Sequence, residues 1–327
     1  MTARVAVFGA GAWGTALAIQ AARAGRRVTL WARDLAVAAT LAATRENARY
    51  LPGVALPDAV RVTADAAAAF DGAALALLVV PAQALGRVLA GLPDQPVPLL
   101  TCCKGVEAGT LRLPLEVVAA LRPGSPAGVL SGPNFAHEVA RGLPAAAVVA
   151  AADPGLRQAG QALLSSAAFR LYGGEDPIGA EVGGAAKNVI AIAAGAVIGA
   201  GLGENARAAL VTRGLAELSR LAVALGGRAE TAAGLTGLGD LMLTCAGPGS
   251  RNMSLGLALG RGETLAAILA GRSGVTEGVA TAPAIVARAA AARVELPICE
   301  AVADLVAERI TVHEAMARLL ARPRRDE

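Results

Sequence analysis

The segment Gly9-Ala10-Gly11-Ala12-Trp13-Gly14 constrains this 327-residue chain more than any other. It sets three glycines at G-x-G-x-x-G spacing after the apolar run Arg4–Gly9 and before a helical pattern, Thr15–Ala24, that Gly25 ends. The spacing alone is weak, but between a strand and a helix at the start of a βαβ unit it marks a dinucleotide-binding turn. The first glycine permits the tight turn, the second lets backbone approach a pyrophosphate, and the third lets helix and strand pack closely. The helix N-terminus then faces the phosphates. A second strand is expected over Arg27–Trp31, and its end, Trp31-Ala32-Arg33-Asp34, would meet the adenosine ribose. An acidic residue there favours NAD, whereas arginine can hold the 2′-phosphate of NADP. Both are present; Arg33 inclines the reading towards NADPH, with NADH as the alternative cofactor.

The first half continues the alternation. Apolar runs at Val60–Thr63, Ala73–Val80, Val97–Cys102, Gly128–Ser131, Ala145–Ala150 and Phe169–Tyr172 are separated by helical patterns. This implies an α/β fold, a Rossmann-type doubly wound parallel sheet covered on both faces. The character changes after Tyr172, and from Pro177 onward the pattern is almost wholly helical, with segments at about 184–200, 205–225, 253–269, 278–292 and 298–321. The expected organisation is an N-terminal dinucleotide-binding domain, 1–172, and an all-α C-terminal domain, 173–327, for substrate binding and catalysis. The length suits two domains, because single cores stop growing at roughly 250–300 residues.

Composition excludes more than it specifies. A formal net charge of +4 is too small to argue for nucleic acid. The one basic run, Arg322-Pro323-Arg324-Arg325, lacks an RNA-type aromatic motif and reads as a solvated end. Cys102, Cys103, Cys245 and Cys299 form no C-x-x-C pair, and histidine occurs only as His137 and His313, so neither a metal site nor a disulfide framework is expected. With 2 % aromatic residues, the core must be built mainly from Leu, Val, Ile and Ala. Glycines interrupt the apolar N-terminus too soon for a signal peptide. The most apolar later stretch, Val189–Leu202, is shorter than the ~20 residues of a spanning helix. No membrane span is expected, and the chain reads as cytoplasmic.

Of 30 basic residues, only Lys104 and Lys187 are lysine. A chain that uses arginine wherever surface charge suffices keeps lysine where guanidinium fails, at sites needing a compact charge and a removable proton. Lys104 lies just past a strand end, where doubly wound sheets bind ligands. Lys187-Asn188 lies near the start of an apolar helix, flanked by Gly183-Gly184-Ala185-Ala186 and Val189-Ile190. Asparagine is also scarce: apart from Asn47, only Asn134, Asn188, Asn205 and Asn252 occur, each in a glycine- or charge-rich motif.

The stretch Gly183–Ala191 resembles the signature of glycerol-3-phosphate dehydrogenases. Further blocks match in order: Gly9–Ala18, Arg49-Tyr50-Leu51-Pro52-Gly53, Lys104-Gly105-Val106-Glu107, Ser131–Ala136, Asn205-Ala206-Arg207, Thr212–Glu217, Gly237–Leu241 and Ser250-Arg251-Asn252. The resemblance covers nearly the whole chain and is to the bacterial NAD(P)-dependent type. It implies reversible reduction of dihydroxyacetone phosphate to sn-glycerol 3-phosphate for glycerophospholipid synthesis. The implied partner is this phosphorylated triose, and the implied assembly a homodimer through the helical domain. Lys187 is implied as the catalytic acid/base, with Asp240 in the same pocket. Lys104, Gly132 and Asn134 would line the site where substrate meets cofactor. Ser250, Arg251 and Asn252 would grip the substrate, with Arg251 near both phosphate and cofactor. Gly9, Gly11, Ala12, Trp13, Gly14, Arg33, Lys104, Ala136, Val275 and Glu277 would contact the dinucleotide. Thr244 is expected as a supporting hydroxyl.

The chemistry agrees with these roles. Reduction of a ketone leaves negative charge on oxygen, which an ammonium at Lys187 can protonate; positioned acid/base groups typically supply ~10²–10⁴-fold. Arg251 offers a planar fork to phosphate. Two departures stand out: Ala12 occupies a position where many relatives carry serine, and Cys102-Cys103 replaces the usual Ala-Thr. The cysteines read as small buried strand residues. Two rival readings are a β-hydroxyacid or 6-phosphogluconate dehydrogenase, against which Ser250-Arg251-Asn252 and Gly237–Leu241 argue, and a non-enzymatic NAD(P)H sensor, which should lack Lys187.

Overall fold

The first apolar run becomes β1 (Arg4–Phe8), an interior strand of the sheet in the computed structural model of this chain, which describes residues 2–272 and 274–323. It is followed by β2 (Arg27–Trp31), β3 (Val60–Thr63), β4 (Leu75–Leu78), β5 (Leu99–Thr101), β6 (Ala127–Ser131), β7 (Ala145–Ala150) and β8 (Phe169–Gly174), in the order β3-β2-β1-β4-β5-β6-β7-β8. Every strand lies where the sequence places one. Val5 and Val7 join the apolar layer that holds the helix Ala12–Arg23, while Ala6 and Phe8 join the opposite layer with Trp31 and Phe70. Burial on both faces explains why these strands read as continuous apolar runs. Because β2 and β4 both pair with β1, the strand order reverses there, and the crevice at the carboxyl ends of such strands is where doubly wound sheets bind ligands.

One expectation needs correcting. The sheet is parallel except that β6 and β7 run antiparallel. The helix between them, Ala136–Arg141, has only six residues. It advances the chain by about 9 Å, too little to return it along a strand of about 17 Å for a parallel pairing.

The chain divides into two compact units, a first of residues 1–104 and 112–181 and a second of 105–111 and 182–327. β8 carries its ladder through Gly173 and Gly174, opposite Val149 and Ala150, so the sheet runs past the point where the sequence reading divides the chain.

The second unit is helical. The helix Pro177–Gly199 begins well before residue 184, because Asp176 accepts from the Gly179 N–H at 2.8 Å and Pro177 takes the first helical position. It is 23 residues long and apolar enough to cross a membrane by length and composition, longer than the Val189–Leu202 stretch suggests, yet 89 % of its most apolar window is buried in protein. The segment expected at 253–269 is two helices, Arg251–Gly260 and Leu265–Ala270, broken at Gly262 with φ +89°. The last expected segment is likewise two, Pro297–Val306 and Val312–Leu320, the second opened by a Thr311/Glu314 capping box.

Four glycines bring two of these helices into backbone contact. A Cβ on Gly195 would lie 2.1 Å from the Met253 carbonyl oxygen, and one on Gly199 2.2 Å from that of Leu257. Reciprocally, a Cβ on Gly256 would lie 2.0 Å from the Ile192 oxygen, and one on Gly260 2.4 Å from that of Ala196. Both pairs are spaced four residues apart, one face of each helix. This crossing carries Ser250-Arg251-Asn252 to the helix that bears Lys187-Asn188.

Candidate active site

In the first unit, the three glycines of the loop after β1 are required for different reasons. Gly9 has φ +118°, and a Cβ there would lie 2.6 Å from the Val79 oxygen. A Cβ on Gly14 would lie 1.8 Å from the Gly9 oxygen, so only glycine allows the helix to start this close to the strand. Gly11 differs: its Cβ would meet nothing within 4 Å. It is the N-cap of Ala12–Arg23, with no side chain capping the helix. The first-turn N–H groups therefore face an open side. This arrangement fits a dinucleotide pyrophosphate, and Ala12 removes no backbone donor from it. Asn47, set apart by the sequence reading, is buried beneath the loop and donates from Nδ2 to the Ala10 oxygen at 2.9 Å and to Thr15 Oγ1 at 2.7 Å.

At the end of β2, Arg33 is exposed, whereas Asp34 is engaged: its Oδ1 accepts from the Val37 N–H at 3.0 Å, capping the helix Leu35–Thr44. Near the ends of β5 and β6, Lys104 Nζ donates to the Gly132 oxygen at 3.1 Å. Gly132 has φ +149°, and a Cβ there would lie 2.9 Å from Ala147 Cα. Asn134 Nδ2 donates to the Ala146 oxygen at 3.0 Å, while Asn134 Oδ1 and Ser131 Oγ are buried without a hydrogen-bond partner among the described residues. Buried polar atoms in that state call for a ligand or water. Ala136 opens the helix that follows. His137 stacks on Phe135, and its side chain is 53 % exposed.

In the second unit, Lys187 is the centre. Its Nζ lies 2.5 Å from Asp240 Oδ1 and donates to Thr244 Oγ1 at 2.8 Å. Asp240 is completely buried and Lys187 is 8 % exposed. The segment that delivers Asp240 is a π-helical turn, Leu235–Gly239, running into the helix Asp240–Cys245. That turn approaches Gly183, where a Cβ would lie 2.4 Å from the Thr236 oxygen. Gly183 is one helical turn before Lys187, so its lack of a side chain sets the lysine–carboxylate distance.

Ser250 caps the helix Arg251–Gly260 through Met253 N–H, at 3.3 Å. Asn252 Nδ2 donates to Asn188 Oδ1 at 2.9 Å, and its Oδ1 accepts from Gly278 N–H at 3.0 Å. Arg251 is exposed and lies against Gly274, so Val275 and the start of the helix Glu277–Ala291 are close by. Two residues of the other matching blocks have structural partners in this unit. Arg207 Nη1 closes the helix bearing Asp240 by donating to the Cys245 oxygen at 2.7 Å. Glu217 accepts from the Ile298 and Cys299 N–H groups at 2.7 and 3.2 Å, capping the helix Pro297–Val306 from a distance. Its carboxyl is raised by burial, although those hydrogen bonds oppose the rise. The four cysteines are free thiols, and burial pushes the Cys102 thiol well up, which keeps it from behaving as a reactive thiolate. Arg324 and Arg325 of the basic tail lie outside the described residues.

Comparison with known proteins bears on both units. Residues 4–157 match the family model for the NAD-dependent glycerol-3-phosphate dehydrogenase N-terminus, and residues 176–317 that for its C-terminus. A glycerol-3-phosphate dehydrogenase [NAD(P)+] from Acidiphilium cryptum is 56 % identical over 98 % of both chains. Its counterpart from Caulobacter vibrioides is 54 % identical, covering 99 % of this chain and 98 % of the other. The crystal structure of glycerol-3-phosphate dehydrogenase from Coxiella burnetii superposes with a TM-score of 0.94 at 38 % identity, over 98 % of this chain and 99 % of that one.

Proposed function

This chain belongs to the NAD-dependent glycerol-3-phosphate dehydrogenase family, and from that premise we propose that Lys187 is the acid/base of its reaction. The chain is an NAD(P)-dependent oxidoreductase. Its reaction is the reversible reduction of dihydroxyacetone phosphate to sn-glycerol 3-phosphate, a step that feeds glycerophospholipid synthesis. The observation that carries the assignment of Lys187 is its burial against Asp240 and Thr244.

The reduced nicotinamide, when bound, supplies the hydride to the ketone carbon. Lys187 gives its proton to the oxygen as negative charge develops there, and in the oxidative direction the neutral amine takes it back. Asp240 and Thr244 fix the direction of Nζ, which matters because misplacement of an acid by an ångström forfeits much of its effect. Arg251 receives the substrate phosphate on its planar fork, and Asn252 and Ser250 hold it in register. Lys104, Gly132 and Asn134 contribute polar contacts to the substrate, and Lys104 also stabilises developing negative charge. Gly9, Gly11, Ala12, Trp13 and Gly14 hold the dinucleotide, with Ala136, Val275 and Glu277 as further contacts. The dinucleotide-binding domain, drawn at residues 1–172 from the sequence, extends with its sheet through Gly174, and the helical part that follows is the substrate and catalytic domain. Because Asp34 is committed to its helix while Arg33 stands exposed, NADPH is the preferred cofactor. The resemblance further supports a cytoplasmic homodimer, which light scattering tests by a mass twice the 32.4 kDa of the chain.

The test is oxidation of NADPH and NADH by purified protein supplied with dihydroxyacetone phosphate, for wild type and Lys187→Ala. Wild type oxidises both, NADPH with the higher kcat/KM, and Lys187→Ala binds NADPH but does not turn over. Turnover by Lys187→Ala at the wild-type rate would remove Lys187 from the mechanism.

A further inference from the structure

The glycine loop is braced by a side chain from outside its own strand–turn–helix, and we propose that this residue, Asn47, is a positioning residue for the dinucleotide pyrophosphate. The proposal rests on the cofactor reading above. Asn47 is 3 % exposed. It begins a turn that is closed on itself: its carbonyl oxygen accepts from the Tyr50 and Leu51 N–H groups at 3.2 and 2.8 Å, and Glu46 Oε1 accepts from the Gly53 N–H at 2.7 Å. The side chain therefore projects from a fixed base.

Its two amide hydrogens are divided between Ala10, the residue between the first two glycines, and Thr15, in the first turn of the helix. Only an amide of this length supplies two donors in one plane; aspartate supplies none and a hydroxyl one. The consequence is directional. The Ala10 carbonyl is turned towards Asn47, and since the Ala10–Gly11 peptide is planar and trans, the Gly11 N–H must point to the opposite side. Gly11 is also the position where an added Cβ would meet no atom, so the loop is open there. This peptide rotates about ψ of Ala10 and φ of Gly11, and glycine gives it unusual freedom. The bond from Asn47 removes that freedom before the anion arrives, and the bond to Thr15 locks loop and helix N-terminus as one piece. Binding then avoids the cost of ordering the loop.

The test is titration of wild type, Asn47→Ala, Asn47→Asp and Thr15→Val with NADPH and with ADP-ribose, which carries the pyrophosphate without nicotinamide, together with steady-state kinetics. Asn47→Ala should raise Kd for both ligands about tenfold, the scale of one lost hydrogen bond to a charged group. KM for NADPH should follow, while kcat at saturation and KM for dihydroxyacetone phosphate should stay within about twofold on the same argument. Asn47→Asp should bind more weakly still, and Thr15→Val, which keeps the side-chain shape, should fall between wild type and Asn47→Ala. A Kd for NADPH unchanged in Asn47→Ala would overturn the proposal; if that variant does not fold, an unchanged Kd in Thr15→Val would overturn it. Failure of wild type to bind either ligand would bring down the cofactor reading itself, a different result from equal binding by wild type and variants.

Discussion

Lys187 sits where a positive charge is tolerated only because Asp240, with no exposure of its own, faces it. Two substitutions separate the charge from the chemistry. Lys187→Arg keeps the charge but offers a guanidinium that cannot release its proton. We expect kcat to fall by about 10² or more, with NADPH binding retained in a fluorescence titration; near-normal turnover would show that a removable proton is not needed. Asp240→Asn keeps the shape but leaves a buried ammonium without its counter-charge, which should cost about 3–5 kcal/mol in urea unfolding. A loss below about 1 kcal/mol would mean the pair is solvated like a surface ion pair. The two lysines were legible because the chain spends arginine on every other basic position. What that arithmetic missed is that many arginines are not surface charges. Arg45 donates to the carbonyls of Leu56, Pro57 and Val60, and Arg122 to those of Leu89, Leu92 and Pro93. Asn47 was illegible for a related reason: its partners are 37 and 32 residues away, and the matching block in its turn, Arg49–Gly53, does not include it.

Between elements, the glycine-lined crossing of Pro177–Gly199 with Arg251–Gly260 decides whether Asn252 reaches Asn188. Gly256→Ala would set a Cβ 2.0 Å from a carbonyl oxygen, a contact that rotamer changes cannot relieve. The helices must part, and we expect a loss of about 3 kcal/mol or more in thermal or chemical unfolding. Gly247→Ala, whose Cβ would meet nothing within 4 Å, is the control. It should stay within about 0.5 kcal/mol; because helix propensity and backbone entropy both favour alanine over glycine, a loss at Gly256→Ala no larger than at Gly247→Ala would remove close approach as the cause. All eight strands were legible from short apolar runs bounded by turn residues, but helix ends in the second unit were not. Alanine-rich sequence keeps helical character across breaks, so Gly262 and the Thr311/Glu314 box were overrun, although both signals stand in the sequence. The first helical segment was drawn too short, from about 184, although the helical pattern is legible from Pro177 onward, and the π-helical turn before Asp240 has no periodicity by which it could be read.

For the molecule as a whole, stability against pH depends on carboxyl groups that folding moves in opposite directions. Hydrogen bonds from Arg309 and Arg318 hold Asp304 below the usual carboxylate range, but the partners are on the surface and screened by solvent. Glu181 is the stronger case. It is 6 % exposed, with Oε1 accepting from the Leu115 N–H at 2.8 Å at the start of the helix Pro114–Leu121. Burial pushes its carboxyl up to about 8; the hydrogen bond from Leu115 opposes the rise and the nearby Glu116 charge adds to it. A group whose folded value is raised binds a proton in the native state that it has lost in the unfolded one. Its contribution is therefore complete below the unfolded value of 4.5, declines as pH rises from there, and is gone above about 8. Within that window the slope approaches roughly 1.4 kcal/mol per pH unit. Glu181→Gln keeps an oxygen for Leu115 and abolishes the titration. We expect urea unfolding of the wild type to lose stability steadily as pH rises through that window and to level off above it, and the glutamine variant to lose clearly less. Because Glu217 is also raised by burial, some slope should survive in Glu181→Gln and flatten further in a double variant with Glu217→Gln. Parallel pH profiles for wild type and Glu181→Gln would mean that Glu181 is ionised in the folded chain throughout, and that the Leu115 N–H, backed by the helix behind it, outweighs desolvation.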